Sequence, residues 1–351
     1  MPADATPDFM TDPELAALGW RPCLGRQLTD DEVAGGWVPA RVCRVQARRC
    51  RVWRTDDGPP TSQNLAVALF GEAGLPAVGD WVLVDPAAVG RPRRLERFSA
   101  LTRRAPGARV ADQVLAANVD TLLVVTACNE EFIVGRIERY LALAAGAGET
   151  TDPIRAVVVL TKADLTADAE RYAAAARALG EGMPQGLRVE VMDARDPQQV
   201  AKLGDLCGPG QTVAALGSSG VGKSTLINAI SDAQQKTGAV RSDDNKGKHT
   251  TTARSLHRLQ AGGVIVDLPG IRELQLAEDA GGLDVAFADA AQVAARCRFN
   301  NCGHSGEPGC AVAASLADGT LDARRWERYC KLRDEQAAYD LQKARRGKKR
   351  R

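Results

Sequence analysis

The 351-residue chain lacks any apolar run approaching the roughly 20 residues that a membrane-spanning helix requires. An integral helical membrane protein is therefore excluded. Its start, MPADATPDFMTDPEL, has neither the basic end nor the apolar stretch of an export signal, so the expected compartment is the cytoplasm. Cysteine is sparse, with nine in the whole chain. That is too few for a disulfide scaffold, and thiols in the cytoplasm stay reduced, so a cysteine cluster points to metal. No internal repeat is apparent, which excludes a solenoid or propeller.

Hydrophobic residues at 44% and charged residues at 26% describe a soluble globular chain, and its length suggests two or three domains. The net charge is only +2, yet the basic residues are bunched. Six arginines fall between Arg41 and Arg54, six more between Arg91 and Arg104, and seven of the last eleven residues are Lys or Arg. Such bunching favours phosphate-rich partners more than the small net charge suggests.

Residues 1–34, rich in Pro, Asp and Ala, predict a flexible tail with at most one short helix. Over residues 35–100 short β-like runs (WVPARVCRV, CRVWR, NLAVALF, DWVLVD) alternate with Gly, Pro and Asp turns, predicting an oligonucleotide-binding (OB) type β-barrel with an arginine-rich, RNA-facing surface. Over residues 101–275 continuous apolar strands such as DTLLVVTAC and IRAVVVLTKAD alternate with helical stretches. Strands bare of polar alternation are buried on both faces, which predicts an α/β domain with a parallel sheet. Residues 276–340 predict a small helical domain around a Cys/His cluster, and residues 341–351 a disordered basic tail.

Gly217-Ser218-Ser219-Gly220-Val221-Gly222-Lys223-Ser224-Thr225 matches G-x-x-x-x-G-K-[ST], after the strand TVAALG and before the helix STLINAIS. Its glycines let backbone N–H groups wrap a polyphosphate at a helix N-terminus. Lys223 suits the β- and γ-phosphates, and the Ser224 hydroxyl suits Mg²⁺. Farther on, the strand GGVIV ends in Asp267-Leu268-Pro269-Gly270: Asp267 for the Mg²⁺ shell, Gly270 to sense the γ-phosphate. Between them, Gly247-Lys248-His249-Thr250-Thr251-Thr252 occupies the place where a nucleotide switch sets a threonine on Mg²⁺, with Thr250 and Thr251 as candidates.

Thr161-Lys162-Ala163-Asp164 follows another buried strand. A carboxylate such as Asp164 accepts from both N1–H and the exocyclic amine of guanine but repels the acceptor edge of adenine, which favours GTP over ATP. Lys162 would lie along the base. This element precedes the phosphate loop by about sixty residues instead of following it, so the expected GTPase domain is circularly permuted.

Cys297-x4-Cys302-x-His304-x5-Cys310 supplies three thiols and an imidazole, a complete tetrahedral set for one structural Zn²⁺; Cys330 is close enough in sequence to compete as a ligand. The remaining cysteines are scattered.

In this order of parts the chain resembles the small ribosomal subunit biogenesis GTPase family, RsgA (also called YjeQ), over nearly its whole length. The resemblance rests on GSSGVGKST at Gly217–Thr225, GKHTTT at Gly247–Thr252, DLPGIRE at Asp267–Glu273 and the C-x4-C-x-H-x5-C ligands. It implies OB and zinc domains that grip 16S rRNA on the 30S subunit, and GTP hydrolysis stimulated by that subunit during late assembly. The implied partners are 30S, 16S rRNA and GTP/GDP, with no membrane and a monomeric chain. Two departures stand out. Thr161 replaces the usual Asn of N-K-x-D, and Asp193-Ala194 stands where the family has S-[AS]. Ile271 follows the switch glycine and cannot orient water. The resemblance and the chemistry together nominate His249, with Lys223 and Thr251 beside it, as the catalytic set. His257 is given no role. The competing readings are a GTP-dependent rRNA-binding checkpoint with little intrinsic catalysis and a P-loop ATPase or kinase, against which Asp164 argues.

Overall fold

The computed structural model describes residues 9, 12–46, 48–55, 61–73, 75–85, 87, 91–105, 111–148, 153–231, 254–268, 275–276 and 281–349. Three short helices, α1 (Pro13–Ala17), α2 (Pro22–Gly25) and α3 (Asp30–Ala34), precede strands β1 (Val38–Val45), β2 (Arg49–Arg54), β3 (Thr61–Ala66), β4 (Trp81–Val84) and β5 (Arg93–Arg94). A hairpin of β6 (Ala100–Arg104) and β7 (Asp112–Ala117) leads into β8 (Thr121–Ala127), α4 (Val134–Ala145), β9 (Arg155–Thr161), α5 (Ala169–Ala178), β10 (Arg188–Val191), α6 (Pro197–Val200), β11 (Thr212–Gly217) and α7 (Lys223–Ile230). After β12 (Ser255–Arg258) and β13 (Val264–Asp267) come α8 (Gly282–Ala286), α9 (Ala288–Ala295), α10 (Ala311–Ala317) and the long α11 (Ala323–Lys349).

The buried strands form a parallel sheet in the order β10-β9-β8-β11-β13, with β12 added antiparallel to β13. Side chains alternate between two cores because a strand repeats every two residues. Leu122 and Val124 of β8, Val158 and Leu160 of β9, and Ala214 and Leu216 of β11 share one core with Ile137 and Leu141 of α4. Their neighbours Leu123, Val125, Val157, Val159, Val213 and Ala215 enter the other core, with Leu226, Ile227 and Ile230 of α7. Every residue of β8 and β11 is buried, as a sheet covered on both faces demands. The strand carrying the phosphate loop, β11, thus lies mid-sheet although β8 and β9 precede it in the chain.

Three expectations are corrected. The segment from Asp12 to Ala34 is ordered: Asp12 caps α1 by accepting from the N–H groups of Glu14 (2.8 Å) and Leu15 (3.1 Å), and Leu15, Leu18 and Leu24 are buried in the main core. Helices of four or five residues are too short to show periodicity in a sequence. The segment over 35–100 is not a closed, free-standing barrel among the described residues. Strands β1 to β4 enclose a small core of Val42, Val52, Leu65, Phe70 and Val82, but β1 pairs with β2, β4 and, through Arg44 and Ser255, β12. The result is one mixed eleven-stranded sheet. Its arginines are partly structural too. Arg41 is fully buried against the Leu18 and Asn118 carbonyls, and Arg97 pairs with buried Asp80 (2.6 and 2.7 Å), leaving Arg44, Arg48, Arg49 and Arg51 exposed. Finally, the expected basic tail continues α11 as helix to Lys349. Its Ala, Gln, Lys and Arg residues are good helix formers, and Tyr339 and Lys343 anchor the helix on Asp112 at 2.7 and 2.9 Å.

Candidate nucleotide site and metal cluster

In a parallel sheet all carboxyl ends lie along one edge, which is where open α/β sheets bind ligands. Here Gly217 ends β11, Asp267 ends β13 and Thr161 ends β9. A Cβ at Gly217 would lie 2.2 Å from the Val125 carbonyl oxygen, so only glycine lets β11 run this close to β8. Gly222 has φ of +89° and turns the chain directly into α7, aiming the first-turn N–H groups at the loop. Ser218 and Lys223 are buried, while Ser219, Gly220, Ser224 and Thr225 face outward.

The ammonium of buried Lys223 donates to Asp267 Oδ1 at 2.6 Å. The carboxylate across the site thus neutralises the lysine. Ser218 Oγ accepts from Arg136 Nη1 on α4, and Arg136 also pairs with Glu131 at 2.9 Å. That guanidinium holds the Glu131 carboxyl below its ordinary range. No motif in the sequence marks Arg136 or Glu131.

At the base end, buried Thr161 hydrogen-bonds the Val221 carbonyl of the phosphate loop and lies 3.1 Å from the Thr126 carbonyl. Lys162 adopts a left-handed conformation, φ +57°, rare for a residue with a side chain. It carries the chain around Ala163, whose N–H donates to the Met192 carbonyl (3.4 Å), and brings the Asp164 carboxylate into reach of solvent. Arg195 spans Asp164 (2.7 Å) and Asp193 (3.0 Å), pulling the Asp193 carboxyl below its usual range. Asp193 therefore holds Arg195, and Arg195 sits on the carboxylate expected to read guanine. Only its place directly after Asp193-Ala194 could have flagged Arg195 in the sequence. His249, Thr250, Thr251 and Gly270 lie outside the described residues.

Cys297, Cys302, His304 and Cys310 bring their ligand atoms within 4.8 Å of one another. Cys297 Sγ lies 3.5 Å from His304 Nδ1 and 4.0 Å from Cys310 Sγ, and Cys310 Sγ lies 3.7 Å from the same nitrogen. Metal–sulfur and metal–nitrogen bonds of about 2.3 and 2.0 Å at tetrahedral angles require separations of roughly 3.5 Å for S···N and 3.8 Å for S···S. The donor set therefore fits a tetrahedral metal ion, and Cys330, on α11, stands outside it. Backbone N–H groups of Val312 and Ala311, in the first turn of α10, hold the Cys297 thiol below its ordinary value. The knuckle is tied by Glu307, which accepts from the N–H groups of Gly303 and Ser305 at 2.8 Å each, a role that no motif in the sequence marks. His304 packs edge-on against Trp326 of α11 at 5.1 Å, coupling the cluster to that helix.

A phosphate loop, an opposed acidic strand end and a T-K-x-D turn along one sheet edge, in permuted chain order, define a circularly permuted P-loop GTPase. The family profile described as RsgA GTPase matches residues 94–277. Small ribosomal subunit biogenesis GTPase RsgA of Mesorhizobium japonicum is 44% identical over 93% of this chain and 90% of its own length. RsgA 2 of Vibrio vulnificus is 43% identical over 92% and 88%. The chain belongs to the RsgA GTPase family. The crystal structure of YjeQ from Thermotoga maritima shares the fold, with a TM-score of 0.59 at 24% identity over 86% of this chain and 99% of that one. So does YloQ, described as a circularly permuted GTPase, with a TM-score of 0.56 at 22% identity over 86% and 96%.

Proposed function

We propose that this GTPase acts in late assembly of the small ribosomal subunit and 16S rRNA maturation, hydrolysing GTP when the 30S subunit stimulates it. The observation that carries this reading is the alignment of Lys223, Asp267 and Asp164 on one sheet edge of a chain 44% identical, across nine-tenths of its length, to a relative named for that process. GTP then lies along the edge, its base at Thr161, Lys162, Ala163 and Asp164 and its phosphates in the loop Gly217–Thr225. Lys223 leaves Asp267 for the β- and γ-phosphates. Mg²⁺ would supply charge neutralisation at the phosphate oxygens, and Ser224, Asp267 and Thr250 or Thr251 are the residues that would hold it. Gly270 reports the γ-phosphate to the switch. His249 orients the attacking water, a task that apolar Ile271 cannot perform.

The Cys₃His cluster holds one structural Zn²⁺, which its tetrahedral spacing supports. We divide the labour at about residues 100, 275 and 340: an RNA-binding segment, the GTPase segment, the metal-binding segment and a basic end, acting as a cytoplasmic monomer. Among the described residues no helix is long and apolar enough to cross a membrane. The test is GTP hydrolysis with purified 30S subunits, 50S subunits or free rRNA, with ATP as control. A rise specific to GTP and 30S is expected, and its absence overturns the reading. In His249→Ala, stimulated turnover is lost while nucleotide-dependent 30S binding remains.

A further inference from the structure

Between α4 and α11 lies a cavity of about 670 Å³, a volume typical of ligand sites. Arg104, Arg136, Arg139, Arg328 and Lys331 line it, and Glu335 is its one acidic side chain among the described residues. Three of the cations are spoken for. Arg328 is held by Glu138 at 2.5 and 2.9 Å, Arg136 by Glu131 at 2.9 Å, and Arg139 by Glu335 at 2.7 Å. Arg104 and Lys331 form no ion pair with a described carboxylate. Arg104 gives Nη2 to the Glu335 carbonyl at 2.6 Å and stacks on Tyr339, but its buried Nε finds no acceptor among the described residues. Lys331 is exposed and forms no ion pair with a described residue. Lys331 and Glu335 also border the neighbouring groove, which Glu327 and Asp334 line.

Two cations without an ion pair among the described residues and a ring of guanidinium donors around one concave volume match a phosphate group, whose several oxygens accept from Arg forks and an ammonium at once. We propose that this cavity is a second phosphate-binding site, separate from the phosphate loop, that takes a multivalent phosphate anion through Arg104 and Lys331, with Arg139 exchanging its Glu335 partner for the anion. Its wall is also wired to the nucleotide. Arg136 reaches from the cavity to Ser218 of the phosphate loop, and Gln275, at the end of the segment that follows Asp267, lines the same space. An anion here therefore sits where the metal-binding helices, the phosphate loop and the end of the switch segment meet.

The probe is inorganic pyrophosphate, titrated calorimetrically into the full-length protein at low salt with GDP in excess, so that the phosphate loop is filled. One-to-one binding is expected, weakened at least fivefold in Lys331→Gln and in Arg139→Gln. Lys331 is exposed and forms no ion pair with a described residue, so Lys331→Gln separates loss of the site from loss of folding, and its GDP affinity should stay within twofold of the parent. No binding, binding as tight as the parent's in Lys331→Gln and Lys331→Glu, or binding that disappears as GDP is raised would each overturn the proposal. Displacement of bound pyrophosphate by a short single-stranded RNA identifies the natural source as an RNA backbone; binding that RNA leaves untouched identifies a free anion.

Discussion

The hydroxyl of Thr161 and the carbonyl of Val221 are hydrogen-bonded across sixty residues of chain, tying the strand that ends in the base-recognition turn to the phosphate loop. A hydroxyl has one proton, which here is shared between that carbonyl and the Thr126 carbonyl 3.1 Å away. The position where the family carries Asn is thus occupied by a smaller group whose polar atom faces the loop. Base end and phosphate end are set relative to one another before any nucleotide arrives.

Thr161→Val keeps the volume and removes the hydroxyl, leaving a buried carbonyl unsatisfied at a cost of about 1–3 kcal/mol. A lower Tm and weaker GDP binding are expected together, read by thermal denaturation and nucleotide fluorescence titration. A lower Tm with unchanged GDP affinity would show that the bond supports the fold alone.

Asp164→Asn replaces two acceptor oxygens with one acceptor and one donor. Loss of charge-assisted bonds to guanine is expected to weaken GDP roughly a hundredfold, at about 1.5–3 kcal/mol per bond. The new donor suits the 2-oxo group of xanthine, so xanthosine diphosphate should now bind better than GDP. Competition between the two nucleotides decides it.

Cys302→Ser removes one ligand from the Cys₃His set. Bound metal, counted by elemental analysis, is expected to fall well below one per chain, with a lower Tm. GDP affinity should change less than twofold, because the cluster touches none of the residues of the nucleotide edge described above. A variant that keeps full metal would mean that another group, Cys330 foremost, takes its place.

Glu138 is fully buried on α4 and accepts from both Arg325 and Arg328 of α11. Asp289 and the Ala286 carbonyl complete the shell of Arg325. Removing one member of a buried charge set typically costs about 3–5 kcal/mol; here Arg325 keeps Asp289 while Arg328 loses its ion-pair partner. Glu138→Ala is accordingly expected to lower the urea midpoint strongly, and Glu138→Gln less.

Burial pushes the His257 imidazole below its ordinary value; Asp267 opposes that shift and Arg44 adds to it. The unfolded histidine takes up its proton near 6.5 while the folded one resists, so the unfolded state binds more protons below that pH. Stability should therefore fall as pH drops through about 6.5. His257→Gln should flatten that part of the stability profile, measured by urea unfolding from pH 7.5 to 5.5.

The chemistry-bearing residues were legible because their constraints are local. Gly217 to Ser224 must lie consecutively to wrap phosphate, and Cys297 to Cys310 must lie within one loop to surround one ion. Continuous apolar strands such as β8 likewise declare a sheet covered on both faces, whatever they pair with. The permutation was readable for the same reason, since order along the chain is itself sequence. Tertiary structure alone decided what depends on partners far apart in the chain. Arg41 is an interior strut and Arg44 a surface charge, though both lie on β1, because the docking of Leu18 and Asn118 buries the first. Whether β1 closes a barrel or joins β12 turns on one edge pairing, and strand propensity does not encode its choice of neighbour. Arg136 and Arg195 carry no motif; they reach Ser218 and Asp164 only because the fold brings separate elements to one edge of the sheet. Helix α11 follows the same logic, its charged face assigned to Glu138, Asp112 and the cavity by packing rather than by the run of basic residues that ends it.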